Sequence, residues 1–285
     1  MKRVAIILGS PFPQNSQAHL RGVREDVSNY KKFLLSATGG AWREDEIHVG
    51  IHLVKSKVPV IQRLCADADM AIIVYSGHGF MRNGENYLNI NPSQNLNVSD
   101  LTTTAKRQIT IVDACRTDYP YEHFEGIGGL GIHFDNTRPD IARALYDYYI
   151  NNSPYGSFTI FSSSRNQASQ DTEDGGRFSV SLLSDINHWS YNTAGLCMTV
   201  ESAFTRSRNQ LASEYAVQIP EAFYTGYEIP NFPLSVSSRA YIKRFGLPAS
   251  TNKSLPAQQK RTSNVGVGVF WSLAAVALGI AMLVD

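Results

Sequence analysis

Two short stretches carry residue types suited to covalent catalysis. The first, Ile72-Ile73-Val74-Tyr75-Ser76-Gly77-His78-Gly79, is an apolar run that ends in a histidine flanked by glycines. Glycine on both sides lets the backbone bend tightly and lets a ligand come close. The second, Ile109-Thr110-Ile111-Val112-Asp113-Ala114-Cys115-Arg116, is another apolar run with a polar tip, here bearing a cysteine. His78 and Cys115 stand 37 residues apart. That is room for one crossover between two parallel strands, so the spacing predicts both tips at one edge of a sheet. The chemistry such a pair performs is nucleophilic: the thiolate attacks, and the imidazole takes or supplies the proton. The backbone N–H groups of Gly79 and Cys115 are the candidate oxyanion hole, each such donor contributing roughly 3–4 kcal/mol in comparable sites.

The remaining cysteines read differently. Cys65 falls inside a helical pattern and Cys197 in an apolar stretch, so both are expected to be small buried hydrophobes. Three widely spaced cysteines give neither a disulfide framework nor a zinc-ligand pair, and no metal site is expected. A reduced compartment follows for this part of the chain.

The elements that must position the two tips are short buried strands alternating with helices. Strands are expected at Val4–Gly9, Ile47–Leu53, Met70–Ser76, Gln108–Asp113 and Ser157–Ser162, each an apolar run bounded by turn or polar residues. Over Leu20–Leu35 the residues Leu20, Val23, Val27, Tyr30 and Leu34 make one stripe at spacings of three and four. Val58–Ala66 starts with Pro59 in its first turn. Arg138–Ile150 has Thr137 as its expected N-cap and Pro139 in its first turn. Further helices are expected over Phe178–Ile186 and Met198–Ala212. The alternation predicts an α/β fold with a mostly parallel sheet between helical layers, with its chemistry beyond the carboxyl ends of the strands.

Composition narrows the classes. The chain has 285 residues, 43% hydrophobic and 18% charged, a globular budget. Lys and Arg number 26 against 25 Asp and Glu, a net charge of +1. No basic field is available for nucleic acid. Residues 1–248 are expected to form the folded domain. Residues 249–264 read as a polar, flexible linker. Residues 265–284, from Val265 to Val284, contain no charged side chain. That run has the length of about 20 residues at which a helix crosses a bilayer. Lys253, Lys260 and Arg261 precede it and only Asp285 follows. The positive-inside rule then predicts a single-pass C-terminal anchor with the domain facing the cytoplasm and the lipid bilayer as a partner.

Tyr75-Ser76-Gly77-His78-Gly79 together with Asp113-Ala114-Cys115-Arg116 resembles the motif pair of the caspase-like cysteine peptidases, most of all the metacaspase and prokaryotic caspase branch. Leu20-Arg21-Gly22-Val23-Arg24-Glu25-Asp26-Val27 is similar to the family's early helix. Thr159–Asp171, followed by Gly175–Leu183, resembles the start of its small-subunit region. The resemblance spans about residues 3–240 and implies a caspase-like three-layer sandwich. It also implies Cys115 as the nucleophile, His78 as its acid/base partner, Gly79 and Cys115 as the oxyanion donors, and Asp113 and Ser76 as lining for the pocket that receives the residue before the scissile bond.

Asp113 adds a specificity argument. Caspases that prefer acidic residues carry glutamine there. Here a carboxylate stands two residues before Cys115, on the same face of the strand. A buried carboxylate favours Arg or Lys and repels Asp or Glu. Asp171 either adds a second negative charge or is a solvated loop acid beside Glu173 and Asp174.

The loop Phe80–Tyr87 carries asparagines and one glutamate where calcium-dependent metacaspases carry several aspartates, so no cofactor and no calcium activation are expected. Between Thr117 and Pro154 no maturation site stands out: Pro139 follows Arg138, and Arg143 lies in an expected helix. Activation by an upstream partner, or by clustering on the membrane, is the expectation that remains. The functional expectation is a membrane-anchored endopeptidase that cuts proteins after Arg or Lys in regulated limited proteolysis, in stress, defence or cell-death signalling. The alternatives are an inactive caspase-like scaffold that recruits partners to the membrane, a cysteine peptidase of the same clan with a different pocket, and a protein whose span does the work.

Overall fold

The computed structural model describes residues 1–12, 19–117, 125–126, 131–214, 218–226 and 229–247. The expected linker and the apolar run 265–284 lie outside the described residues. Among the described residues no helix is long and apolar enough to cross a membrane.

In chain order the elements are β1 (Arg3–Ser10), α1 (Val23–Leu35), β2 (Ile47–Ile51), α2 (Val58–Cys65), β3 (Met70–Gly77), β4 (Gly79–Arg82), β5 (Glu85–Asn91), β6 (Gln94–Asn97) and β7 (Arg107–Asp113). They continue with β8 (Glu125–Gly126), α3 (Pro139–Asn151), β9 (Gly156–Phe161), β10 (Asp171–Thr172), β11 (Gly175–Gly176), α4 (Arg177–Asn192), β12 (Cys197–Thr199), α5 (Val200–Glu214), β13 (Glu221–Thr225), β14 (Pro233–Val236) and α6 (Ser238–Phe245).

The central sheet has the order β13-β9-β7-β3-β1-β2. β2, β1, β3, β7 and β9 run parallel, and β13 closes one edge antiparallel to β9. The five expected strands are all there, and they form its parallel part. Their apolar runs are continuous because both faces are covered. Alternate residues divide cleanly. Ala5, Ile7, Ile72, Val74, Ile109, Ile111, Phe158 and Ile160 pack against α1, α3, α4 and α5. Val4, Ile6, Leu8, Ala71, Ile73, Tyr75 and Val112 pack against α2 and against Leu88, Ile90 and Leu96 of a small antiparallel sheet, β4-β5-β6. The result is three layers, helix, sheet and helix, with the small sheet added beside α2.

Several expectations need correction. Helix Met198–Ala212 starts two residues later, at Val200, because Met198 is claimed by β12, which pairs antiparallel with β14. That partner lies far along the chain, out of reach of a local pattern. The first helix begins at Val23 rather than Leu20, and α4 runs on to Asn192, past Ile186. Thr137 does not cap α3. The N-cap is Arg138, in the left-handed region at φ 51°, and the Thr137 hydroxyl donates to Asp135 at 2.7 Å instead.

Candidate active site

The register of the two central strands positions the site. Ser76 of β3 pairs with Asp113 of β7 at their carboxyl ends. His78 and Cys115 each lie two residues further on, and both line one open cleft of about 320 Å³. Leu20, Val23, Ser169, Asp171 and Gly176 complete most of its wall. The His78 and Cys115 turns also touch directly. A Cβ on Gly79 would fall 2.8 Å from both the Cys115 carbonyl oxygen and the Ala114 methyl, so only glycine permits this approach.

The histidine turn is held from below. The His78 carbonyl accepts hydrogen bonds from the Tyr75 hydroxyl at 2.8 Å and the Asn89 N–H at 3.0 Å. Its ring packs on that of Phe12, with centroids 4.6 Å apart. The Cys115 sulfur is half-buried and meets one residue twice. It accepts from the Ser169 N–H at 3.3 Å and donates to the Ser169 carbonyl at 3.6 Å. Burial pushes the thiol up, the Ser169 N–H opposes this, and the charges of Asp113 and Asp171 push it higher. Cys65 and Cys197 are each pushed to about 12, chiefly by burial, as inert structural cysteines should be.

Three carboxylates gather on one side of the sulfur. Asp113, 4% exposed, accepts from the Ser169 hydroxyl at 2.6 Å on one oxygen. On the other it accepts from the Ser179 hydroxyl at 2.7 Å and the Ser179 N–H at 3.1 Å. Gly176 makes room for it, since a Cβ there would lie 2.3 Å from Asp113 Oδ2. Asp171 accepts from the Gly22 N–H at 3.2 Å. Burial, with Asp113 adding to it, raises its carboxyl to about 6. Asp171 is among the residues that line the cleft, with Asp113.

Sequence reasoning missed the third acid. Asp26 of α1 lies 1% exposed beneath the cleft wall. It accepts from the Ser76 hydroxyl at 2.5 Å and from the Gly176 N–H at 3.0 Å. Burial, then the Asp113 charge, pushes its carboxyl well above the ordinary range. A signal existed: Asp26 falls three after Val23 and four before Tyr30, on the apolar stripe of its helix. Among the described residues that line the cleft there is no lysine or arginine, and His78 is the one basic side chain. Among those residues there is also no cluster of His, Cys, Asp and Glu able to hold a metal ion.

Arg116, next to Cys115, turns away from the cleft. Its side chain is 2% exposed and pairs with Glu221 of β13 at 2.6 Å. It also donates to Asn86 at 2.8 Å and to the Ser163 carbonyl at 3.0 Å, and lies over the Phe161 ring at 4.3 Å. One residue thus ties the Cys115 turn to the sheet edge and to the small sheet.

A caspase-domain family model matches residues 2–233. Among solved structures, a protein from Geobacter sulfurreducens superposes with a TM-score of 0.53 at 16% identity, covering 84% of this chain and 98% of its own. Caspase-1 from Spodoptera frugiperda superposes with a TM-score of 0.50 at 17% identity, covering 78% of this chain and 86% of its own. At such identities the likeness is one of fold. No curated protein matches.

Proposed function

This chain belongs to the caspase-domain family, and on that premise we propose that it is a cysteine endopeptidase that cuts proteins after Arg or Lys, with Cys115 as nucleophile and His78 as acid/base. The observation that carries the specificity is the acidic wall: Asp113 and Asp171 in the cleft, Asp26 behind it, and no opposing cation among the lining residues described. A guanidinium or ammonium group entering there gains charge-assisted hydrogen bonds. An acidic side chain meets like charge in a poorly solvated site.

The chemistry then runs as follows. The Cys115 thiolate attacks the carbonyl carbon, forming a C–S bond while the carbonyl oxygen becomes an oxyanion facing the N–H groups of Gly79 and Cys115. The intermediate collapses, the C–N bond breaks, and the amine leaves with a proton from the His78 imidazolium. Water, giving a proton to His78, then attacks the thioester carbonyl; the C–S bond breaks, Cys115 leaves as the thiolate, and the acid is released. No metal or cofactor takes part in this reading.

The reading extends to the membrane. Residues 249–264 serve as a tether and residues 265–284 as a single-pass anchor, with the peptidase domain on the cytoplasmic side. What supports it is the uncharged apolar run preceded by Lys253, Lys260 and Arg261. Holding the enzyme at a bilayer raises its local concentration, which suits activation by clustering or by an upstream partner. Limited proteolysis in stress, defence or cell-death signalling is the biological role proposed, and it rests on family analogy.

The test uses the full chain in detergent with fluorogenic peptides ending in Arg, Lys or Asp, beside Cys115→Ala. Cleavage of the Arg and Lys peptides, lost in the variant, is expected. Cleavage of the Asp peptide alone contradicts the pocket reading. No cleavage of any, with or without clustering on vesicles, favours the recruiting scaffold.

A further inference from the structure

We propose that the acidic cleft also controls its own nucleophile: a cationic group entering beside Asp113 and Asp171 frees Cys115 to react, and Ser169 is the positioning residue that fastens the sulfur to Asp113. The inference rests on the reading of the cleft as a pocket for basic side chains.

The geometry is that of one residue with two duties. The Ser169 peptide groups hold the sulfur from both sides, N–H to Sγ at 3.3 Å and Sγ to carbonyl at 3.6 Å. Its hydroxyl donates to Asp113 Oδ1 at 2.6 Å. The same hydroxyl accepts from Ser162 Oγ at 2.9 Å and Gln218 Nε2 at 3.1 Å, so its position is fixed from three directions. Gln218 is itself buried and bonded to the Ser162 carbonyl at 3.0 Å. Any pull on Asp113 is therefore felt at the residue that cradles the thiol.

The electrostatics run the same way. The charged and titratable groups around the sulfur are Asp113 from β7, Asp171 from β10 and His78 from the turn after β3, with Asp26 of α1 behind the wall. The carboxylates oppose a thiolate, and in the empty cleft the thiol can rest protonated, donating to the Ser169 carbonyl. A guanidinium between the carboxylates cancels that opposition. Binding the correct side chain then raises reactivity as well as affinity, so discrimination against uncharged residues appears in kcat and not only in KM.

Relieving the carboxylates' opposition lets more of the sulfur stand as thiolate. A more easily formed thiolate is a weaker nucleophile, with a Brønsted slope of about 0.4–0.5, so roughly half of the logarithmic gain in thiolate survives as rate.

The experiment alkylates the full chain with iodoacetamide at pH 7 and reads the Cys115 peptide by mass spectrometry, with propylguanidine or its uncharged isostere propylurea present. The thiolate displaces iodide, a C–S bond replaces C–I, and the thiol proton passes to His78 or solvent. Binding is followed separately by the rise in melting temperature. Propylguanidine is expected to speed Cys115 alkylation at least about twofold, the part of the thiolate gain that survives the loss of nucleophilicity, and propylurea to leave it unchanged or slower. Ser169→Ala should bind propylguanidine yet lose the share of the acceleration that its hydroxyl carries from Asp113, and Ser169→Thr should keep all of it. A merely structural serine would lower the basal rate and leave the fold-acceleration intact, which would overturn its role. Propylguanidine that binds but slows alkylation or leaves it unchanged overturns the coupling and leaves the basic specificity standing. Propylguanidine that does not bind overturns the pocket reading and this inference with it.

Discussion

Asp113→Asn is the perturbation that isolates charge from shape. The side chain keeps its volume, and its carbonyl oxygen can still accept the Ser179 N–H, now at 3.1 Å. What disappears is the negative charge on a residue 4% exposed at the cleft wall. Breaking a buried pair by removing one partner costs about 3–5 kcal/mol. At about 1.4 kcal/mol per decade, kcat/KM for an Arg peptide should fall by about 10²–10⁴. The matched citrulline peptide, which has the shape of Arg without its charge, should change by less than about tenfold. Stability supplies an internal control. Asp113 raises the carboxyls of both Asp26 and Asp171, so removing its charge relieves repulsion. The urea midpoint should hold steady or rise while activity collapses. The assay is steady-state hydrolysis of both peptides beside urea titrations of the two proteins. A loss of less than about tenfold on the Arg peptide, or equal losses on Arg and citrulline, would refute the claim that this carboxylate reads a positive charge.

Gly176→Ala puts a methyl 2.3 Å from Asp113 Oδ2, so the carboxylate must move; Arg-peptide hydrolysis should drop at least tenfold, and unchanged kinetics would show that Asp113 tolerates displacement. Arg116→Met strands Glu221 and removes the ring contact with Phe161; since Glu221 is a third exposed, the cost should be about 2–4 kcal/mol by urea unfolding, and less than 1 kcal/mol would deny Arg116 its bracing role. Asp26 and Asp171 hold their protons more tightly folded than unfolded, so their contribution to stability falls as pH rises from the ordinary carboxylate range through about 6 for Asp171 and higher for Asp26. Asp26→Asn should therefore flatten the decline of unfolding free energy above pH 4 relative to wild type, and parallel pH curves for the two proteins would contradict the buried-acid assignment.

What could be read from residues alone follows from how local its cause is. β1 and β3 are legible because strands covered on both faces are near-continuous apolar runs, β7 and β9 because Ile109–Val112 and Phe158–Phe161 are broken only by a threonine, and the two polar tips stand out as the ends of β3 and β7. The small sheet β4-β5-β6 was not legible. It buries Leu88, Ile90 and Leu96 against the main sheet, and five of the positions in β5 and β6 are asparagines, which have weak strand preference. β13 reads poorly too, as an exposed edge strand whose Phe223 and Tyr224 are half out in solvent. Met198 reads as helix from its neighbours alone, because its strand partner, Ser235, lies far away in sequence. At the site, Asp113 was legible by its two-residue offset from Cys115. Ser169 was not, since nothing local marks a serine whose peptide groups meet a sulfur in another segment.

The central claim is tested most directly by an arginyl acyloxymethyl ketone, which carries a basic side chain to the cleft and alkylates whichever thiol attacks it. Peptide mapping of the full chain after brief exposure should find the adduct on Cys115, absent from Cys65 and Cys197, lost in His78→Ala and in Asp113→Asn, and not formed by the aspartyl analogue. Label on another cysteine, or equal labelling of Cys115 by the arginyl and aspartyl reagents, would contradict the account.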